Sequence, residues 1–141
     1  VTEVVVMVGL PGSGKSTWVR DHLAATHEVV SKDHWPNARR REHRQRRVLH
    51  ELLSEGRDVV VDNTNPSPEE RAPIIAVARE HGAAVRAVHL DVPVEICLTR
   101  NERRRGRARV PVVAIMAARG RLVPPSPAEG FDRVDTVRPG R

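Results

Sequence analysis

Gly9-Leu10-Pro11-Gly12-Ser13-Gly14-Lys15-Ser16-Thr17 is the stretch of this chain best equipped for chemistry. It fills every fixed position of the pattern G-x-x-x-x-G-K-[ST]. It follows the apolar run Val4–Val8 and precedes a segment with helical patterning. Its glycines let successive backbone N–H groups turn inward around phosphate oxygens. A helix beginning near Gly14 adds its partly positive end. Pro11, Ser13 and Thr17 complete the wall of the loop, Lys15 reaches the β and γ phosphates, and the Ser16 hydroxyl is the expected Mg²⁺ ligand. The stretch predicts a site for ATP or another NTP and says nothing about what receives the phosphate.

Three further groups could act on an acceptor. Asp33 closes a short apolar run, where a carboxylate can take the proton of an attacking hydroxyl. Aspartate there is equally able to cap a helix, and residue type leaves both roles open. Asp62-Asn63-Thr64-Asn65 ends another apolar run. An acid at such a strand end can hold Mg²⁺ or its waters, and the same residues can simply close an Asx turn. A mixed assignment fits best, with Thr64 and Asn65 facing substrate and Asp62 or Asn63 anchoring the loop. Residues 100–109 carry six arginines around Gly106, which suits a lid over a triphosphate, because the guanidinium fork meets phosphate oxygens in pairs and stays charged when water leaves. A solvated helix end is the alternative for several of them. The seven histidines follow no metal-ligand spacing.

These groups need strands to aim them. Strands are expected at 3–8, 29–30, 59–61 and 84–90, with a fifth at 134–137. Helices are expected at 16–25, 39–55, 67–80, 93–104 and 111–121. Gly56 and Gly82 end two of the helices, and Ser67, Pro68 and Glu70 open another as a capping box. Alternating strands and helices predict an α/β P-loop NTPase-type kinase fold: a central parallel sheet of four to five strands flanked by helices, with an Arg-rich lid. Ligands then lie at the C-terminal edge of the sheet, where the clusters at 9–17, 31–33 and 62–65 converge.

The totals narrow the class. A length of 141 residues predicts one domain, residues 1–141, and a start almost on the first strand suggests a piece cut from a larger protein. Net charge is +6, and 22 of the 24 basic residues are arginine, six of them between Arg39 and Arg47. Such runs favour a polyanion partner. With only Trp18, Trp35 and Phe131 as aromatics, base-stacking sheets of the RRM or OB type are disfavoured. The lone Cys97 excludes an internal disulfide and fits the core of a cytoplasmic protein, and no apolar run approaches membrane-spanning length.

Taken in order, the motifs resemble those of the 5′-hydroxyl polynucleotide kinases, both the phage kinase domain and the kinase domain of eukaryotic polynucleotide kinase/phosphatase. They are the P-loop through Trp18, Ser31-Lys32-Asp33, Val60-Val61-Asp62-Asn63-Thr64-Asn65-Pro66 with Arg71 beyond it, Arg100-Asn101, Val110-Pro111 and Pro125-Ser126-Pro127-Ala128-Glu129-Gly130-Phe131. The resemblance implies transfer of the ATP γ-phosphate to a 5′-OH end of DNA or RNA. By it, Asp33 is the general base, Arg100 with Arg104 or Arg105 clamps nucleotide phosphates, Thr64 touches the acceptor phosphate and Val110 packs on the acceptor nucleoside. An arginine that the phage enzyme places three residues after its aspartate is here Pro36, and Arg39 or Arg40 are the nearby substitutes. The competing readings are a kinase for a small hydroxylated molecule, such as a sugar or antibiotic, and an NTP-binding module without transfer activity.

Overall fold

The computed structural model describes residues 2–35 and 39–139. Five strands form one parallel sheet: β1 (Glu3–Val8), β2 (Glu28–Val30), β3 (Val59–Val61), β4 (Ala84–Leu90) and β5 (Arg133–Val137), in the spatial order β2-β3-β1-β4-β5. The helices are α1 (Lys15–His22), α2 (Arg41–Ser54), α3 (Pro68–Glu80), α4 (Val94–Glu102) and α5 (Val112–Arg121). The expected parallel sheet flanked by helices is present, with element ends within a few residues and β5 starting one residue early. Among the described residues no helix is long and apolar enough to cross a membrane.

β1 is buried on both sides, which is why it reads as an unbroken apolar run. Val4, Val6 and Val8 join Leu49, Leu53, Ile74 and Val77 of α2 and α3 on one face. Val5 and Met7 join Val19 of α1, Cys97 of α4 and Ile115 of α5 on the other. Each such side chain contributes roughly 1.5–3 kcal/mol by leaving water. The two faces together hold the C-terminal ends of β1 and β3 side by side, with Val6 opposite Val61. The chain order reverses at this pair, so a crevice opens above it.

One local expectation changes. Ser67 caps α3, its Oγ accepting from the Glu70 amide, but the reciprocal half of the capping box is not made. Glu70 Oε1 instead lies 3.5 Å from Arg121 Nε of α5. A complete capping box forms at Ser126 and Glu129. There, Arg71 ties the C-terminal segment to the sheet. Fully buried, it donates to both Glu129 carboxylate oxygens at 2.9 Å and to the carbonyls of Asn65 and Val123 at 3.0 Å.

α2 starts against its own dipole. Arg40 precedes it in the left-handed conformation (φ 56°), and Arg41 and Arg44 lie in its first turn. Helix N-termini favour anions, so these cations gain nothing from the helix itself.

Candidate active site

The phosphate cradle is backbone geometry defended by close packing. Gly12 and Gly14 take φ of 86° and 94°, which few L-residues adopt. A Cβ on Gly12 would also sit 2.5 Å from the Cys97 carbonyl oxygen, so the loop is pressed directly onto α4. Ser13 is buried, and its Oγ has no hydrogen-bond partner among the described residues. A buried, unpaired hydroxyl is costly unless something fills the cradle, and a phosphate oxygen fits it. Cys97 is core as expected, burial pushing its thiol up and leaving it inert.

Lys15 Nζ donates to the carbonyls of Gly9 at 2.8 Å and Leu10 at 2.9 Å. Burial lowers its pKa to about 8, with the Asp62 carboxylate opposing that shift and the Arg104 guanidinium adding to it. Ser16 Oγ donates to Asp62 Oδ2 at 2.9 Å across the crevice. Burial pushes the Asp62 carboxyl up, and the Ser16 hydroxyl and Lys15 pull it back. Ser16 and Asp62 thus supply two hard oxygens at one point, the donor set that suits Mg²⁺.

Arg100 and Arg104 reach the same cleft, a cavity of about 350 Å³ that also takes in Thr17, Trp18 and the β5 end at Val137–Pro139. Arg100 Nη1 lies 3.4 Å from the Gly12 carbonyl oxygen. Arg104 is half-buried, whereas Arg105 is exposed and outside this cleft, which favours Arg104 of the two. The arginine loop is closed at its base by Asn101, 1% exposed, which donates to the Val110 carbonyl at 2.7 Å and accepts from the Val110 amide at 2.8 Å. Val110 is half-buried against the α1/α4/α5 core.

Asp33 sits on a 3-10 turn, Lys32–His34, just beyond β2. The helix-cap role is taken by Ser31, whose Oγ accepts from the Asp33 amide. The Asp33 carboxylate is exposed, without hydrogen bond or ion pair among the described residues, and close enough to contribute to the pKa shifts of both Lys15 and Asp62. Asn63 fixes this turn, accepting from the Lys32 amide at 2.9 Å and donating to Gln45 of α2 at 2.7 Å. Thr64 and Asp33 line an open groove of about 240 Å³.

Two of the expected acceptor contacts are held differently from Thr64. Asn65 borders the groove, but its amide is turned inward. It donates to the Met7 carbonyl at 2.8 Å, and the residue is 5% exposed with φ 45°. The rigid bend there needs an internal partner, which leaves no donor for substrate. Arg39 and Arg40 are exposed and outside the groove. Arg41 enters it from α2 and Arg121 from α5. Arg40 uses its left-handed turn to redirect the chain, so the next side chain is the one that points in. Pro36 lies outside the described residues. Arg41, Arg121 and the Val137–Pro139 wall escaped sequence reasoning. The fifth strand was the available signal for the last of these, because its end had to reach the ligand edge.

A Gly-rich loop between β1 and α1, with an acid at the end of the adjacent β3, defines a P-loop nucleotide-binding domain. Residues 4–125 match the AAA domain family AAA_33, and the chain belongs to that family. It is 31% identical over 139 residues to a bifunctional polynucleotide phosphatase/kinase of Schizosaccharomyces pombe, covering 96% of this chain and 33% of the relative. The chain therefore spans about a third of that curated relative. Among solved structures, a fungal RNA kinase superposes with TM-score 0.72 at 17% identity, over 99% of this chain and 77% of that one. A sugar kinase from Janibacter sp. HTCC2649 superposes with TM-score 0.69 at 22% identity, over 97% and 84%. These two likenesses are of fold.

Proposed function

We propose that this domain transfers the γ-phosphate of ATP to the 5′-hydroxyl end of DNA or RNA. The observation that carries the reading is the Asp33 carboxylate, uncommitted among the described residues. It stands on an open groove with Lys32, Arg41, Glu70 and Arg121, and it is close enough to the P-loop lysine, Lys15, to act on that lysine's charge, as Arg104 also does. The 31% relative, itself named as a polynucleotide phosphatase/kinase, supports the same reading.

In this reading Asp33 accepts the proton of the 5′-OH as its oxygen bonds to the γ-phosphorus. The bond from that phosphorus to the bridging oxygen breaks, and ADP leaves. Lys15, Arg100 and Arg104 offset charge on the phosphate chain, and the cradle holds that chain in line. Ser16 and Asp62 would hold Mg²⁺, which supplies further charge cancellation when bound. The fold likeness to a sugar kinase keeps a small-molecule acceptor as the second reading, but an open, arginine-flanked groove suits a chain better than an enclosed metabolite.

Label transfer from γ-labelled ATP to 5′-OH oligonucleotides, compared with a panel of sugars and other small alcohols, separates the two. Asp33→Asn is expected to lower turnover by about 10²–10⁴-fold while ATP still binds. Near-normal turnover in that variant would remove Asp33 from the role of base.

A further inference from the structure

Resting on that reading, we infer that the acceptor strand leaves the active site over the amino-terminal turns of α2. Arg41 and Arg121 straddle its first internucleotide phosphate, and Arg39, Arg40 and Arg44 follow the phosphates beyond.

Arg41 of α2 and Arg121 of α5 line one groove with Asp33, where Glu70 lies 3.5 Å from Arg121 and a strand phosphate would compete with it for that guanidinium. Further arginines flank Arg41 in the chain. Arg39 and Arg40 are exposed beside it, and Arg44 lies one turn along α2 with its guanidinium 4.8 Å from the Trp35 ring centroid, which fixes its direction. Side chains three or four apart on a helix stand about 5–6 Å apart, a spacing a flexible phosphate backbone can follow.

A merely solvated helix face accounts poorly for this stretch. Of the six arginines from Arg39 to Arg47, only Arg47 has a carboxylate partner among the described residues (Glu51 Oε1, 3.9 Å). The one acid in the first turn, Glu42, is paired with Lys32. Three unpaired cations also stand where the helix dipole opposes them. A small neutral acceptor would have no use for charge outside the groove, whereas a strand meets it phosphate by phosphate.

The test measures KM for 5′-OH acceptors of increasing length, from a nucleoside 3′-monophosphate to a ten-nucleotide strand, at several salt concentrations. The proteins are the wild type, Arg41→Gln, Arg121→Gln, the double variant Arg39→Gln/Arg40→Asn and, in the other arginine run, Arg107→Gln/Arg109→Gln. Asparagine at position 40 keeps a residue that tolerates positive φ, and a thermal melt checks that each variant folds. Arg41→Gln and Arg121→Gln are expected to raise acceptor KM roughly tenfold with KM for ATP unchanged. For Arg39→Gln/Arg40→Asn the penalty should grow with acceptor length. It should also flatten the slope of log KM against log salt by about 0.7 for each lost phosphate contact. The 107/109 variant should keep the wild-type slope. If the wild type labels strands but the slope falls only in the 107/109 variant, or the 39/40 penalty is independent of length, the strand path is wrong and the kinase reading stands. If the wild type labels no strand at all, the reading itself fails and the path with it.

Discussion

The two halves of the cleft are built on different principles. On the nucleotide side, the parts are backbone: two positive-φ glycines, one of them pressed against a neighbouring carbonyl, with Lys15 and Asp62 drawn behind them out of water. On the proposed acceptor side the parts are exposed or half-buried side chains. Asp33, Arg41 and Arg121 stand on a short turn and two helix ends, held at one remove by Asn63 and Arg71. Phosphate is one shape, so its cradle can be rigid. In the proposed reaction the acceptor is the variable partner, and open charge on replaceable residues can change without disturbing the core.

The sharpest way to test this contrast is to remove one arginine from each environment. Arg104→Ala should cost about 10³-fold in turnover, about 4 kcal/mol of transition-state stabilisation. Arg105→Ala should stay within about twofold of wild type, like most exposed substitutions. Equal losses in steady-state kinetics would show that the arginine loop rearranges on binding and that its position here does not decide the contact.

A second prediction concerns how the acceptor side is anchored. Glu129→Gln leaves the buried Arg71 guanidinium half-paired and should lower stability by about 3 kcal/mol, read as a fall in denaturant midpoint. Because Arg71 also holds the Asn65 carbonyl, acceptor KM should rise while KM for ATP stays constant. A rise in both would mean that the halves are not independently supported.

The smallest effect runs the other way and belongs to the nucleotide side. The lysine at 15 normally titrates near 10.5 and here near 8, so the unfolded chain binds more protons between those values. Stability of the nucleotide-free protein should therefore rise with pH across that window. At pH 7 the charged Lys15 destabilises the fold, and Lys15→Met should be more stable than wild type by about 2 kcal/mol, a stability cost of function. The gain should fade toward pH 10.5. Denaturant melts at pH 7 and pH 10 that show the same difference would contradict a desolvated lysine.

Much of the nucleotide side was legible in the chain because its requirements are local. A P-loop needs glycines at fixed spacing between an apolar run and a helix, and those features are contiguous in sequence. The strands were equally readable, since burial on both faces leaves unbroken runs such as Val59-Val60-Val61. The acceptor side was legible only as a list of candidates. Thr64 and Asn65 are adjacent, alike in polarity and both on the groove, yet Asn65 spends its amide on the Met7 carbonyl. Arg39, Arg40 and Arg41 are three identical residues in a row, and a single left-handed residue determines which one enters the groove.

The sequence by itself determined the alternating α/β order, the phosphate cradle and the presence of an acid after the second strand. Those depend on contacts within a few residues and on apolar periodicity. Only the tertiary structure decided that Ser16 meets Asp62, that Arg71 closes on Glu129 and that Arg41 and Arg121 line one groove. Each pair is separated by more than forty residues, and side chains that far apart are brought together by sheet order and helix packing, which no local pattern encodes.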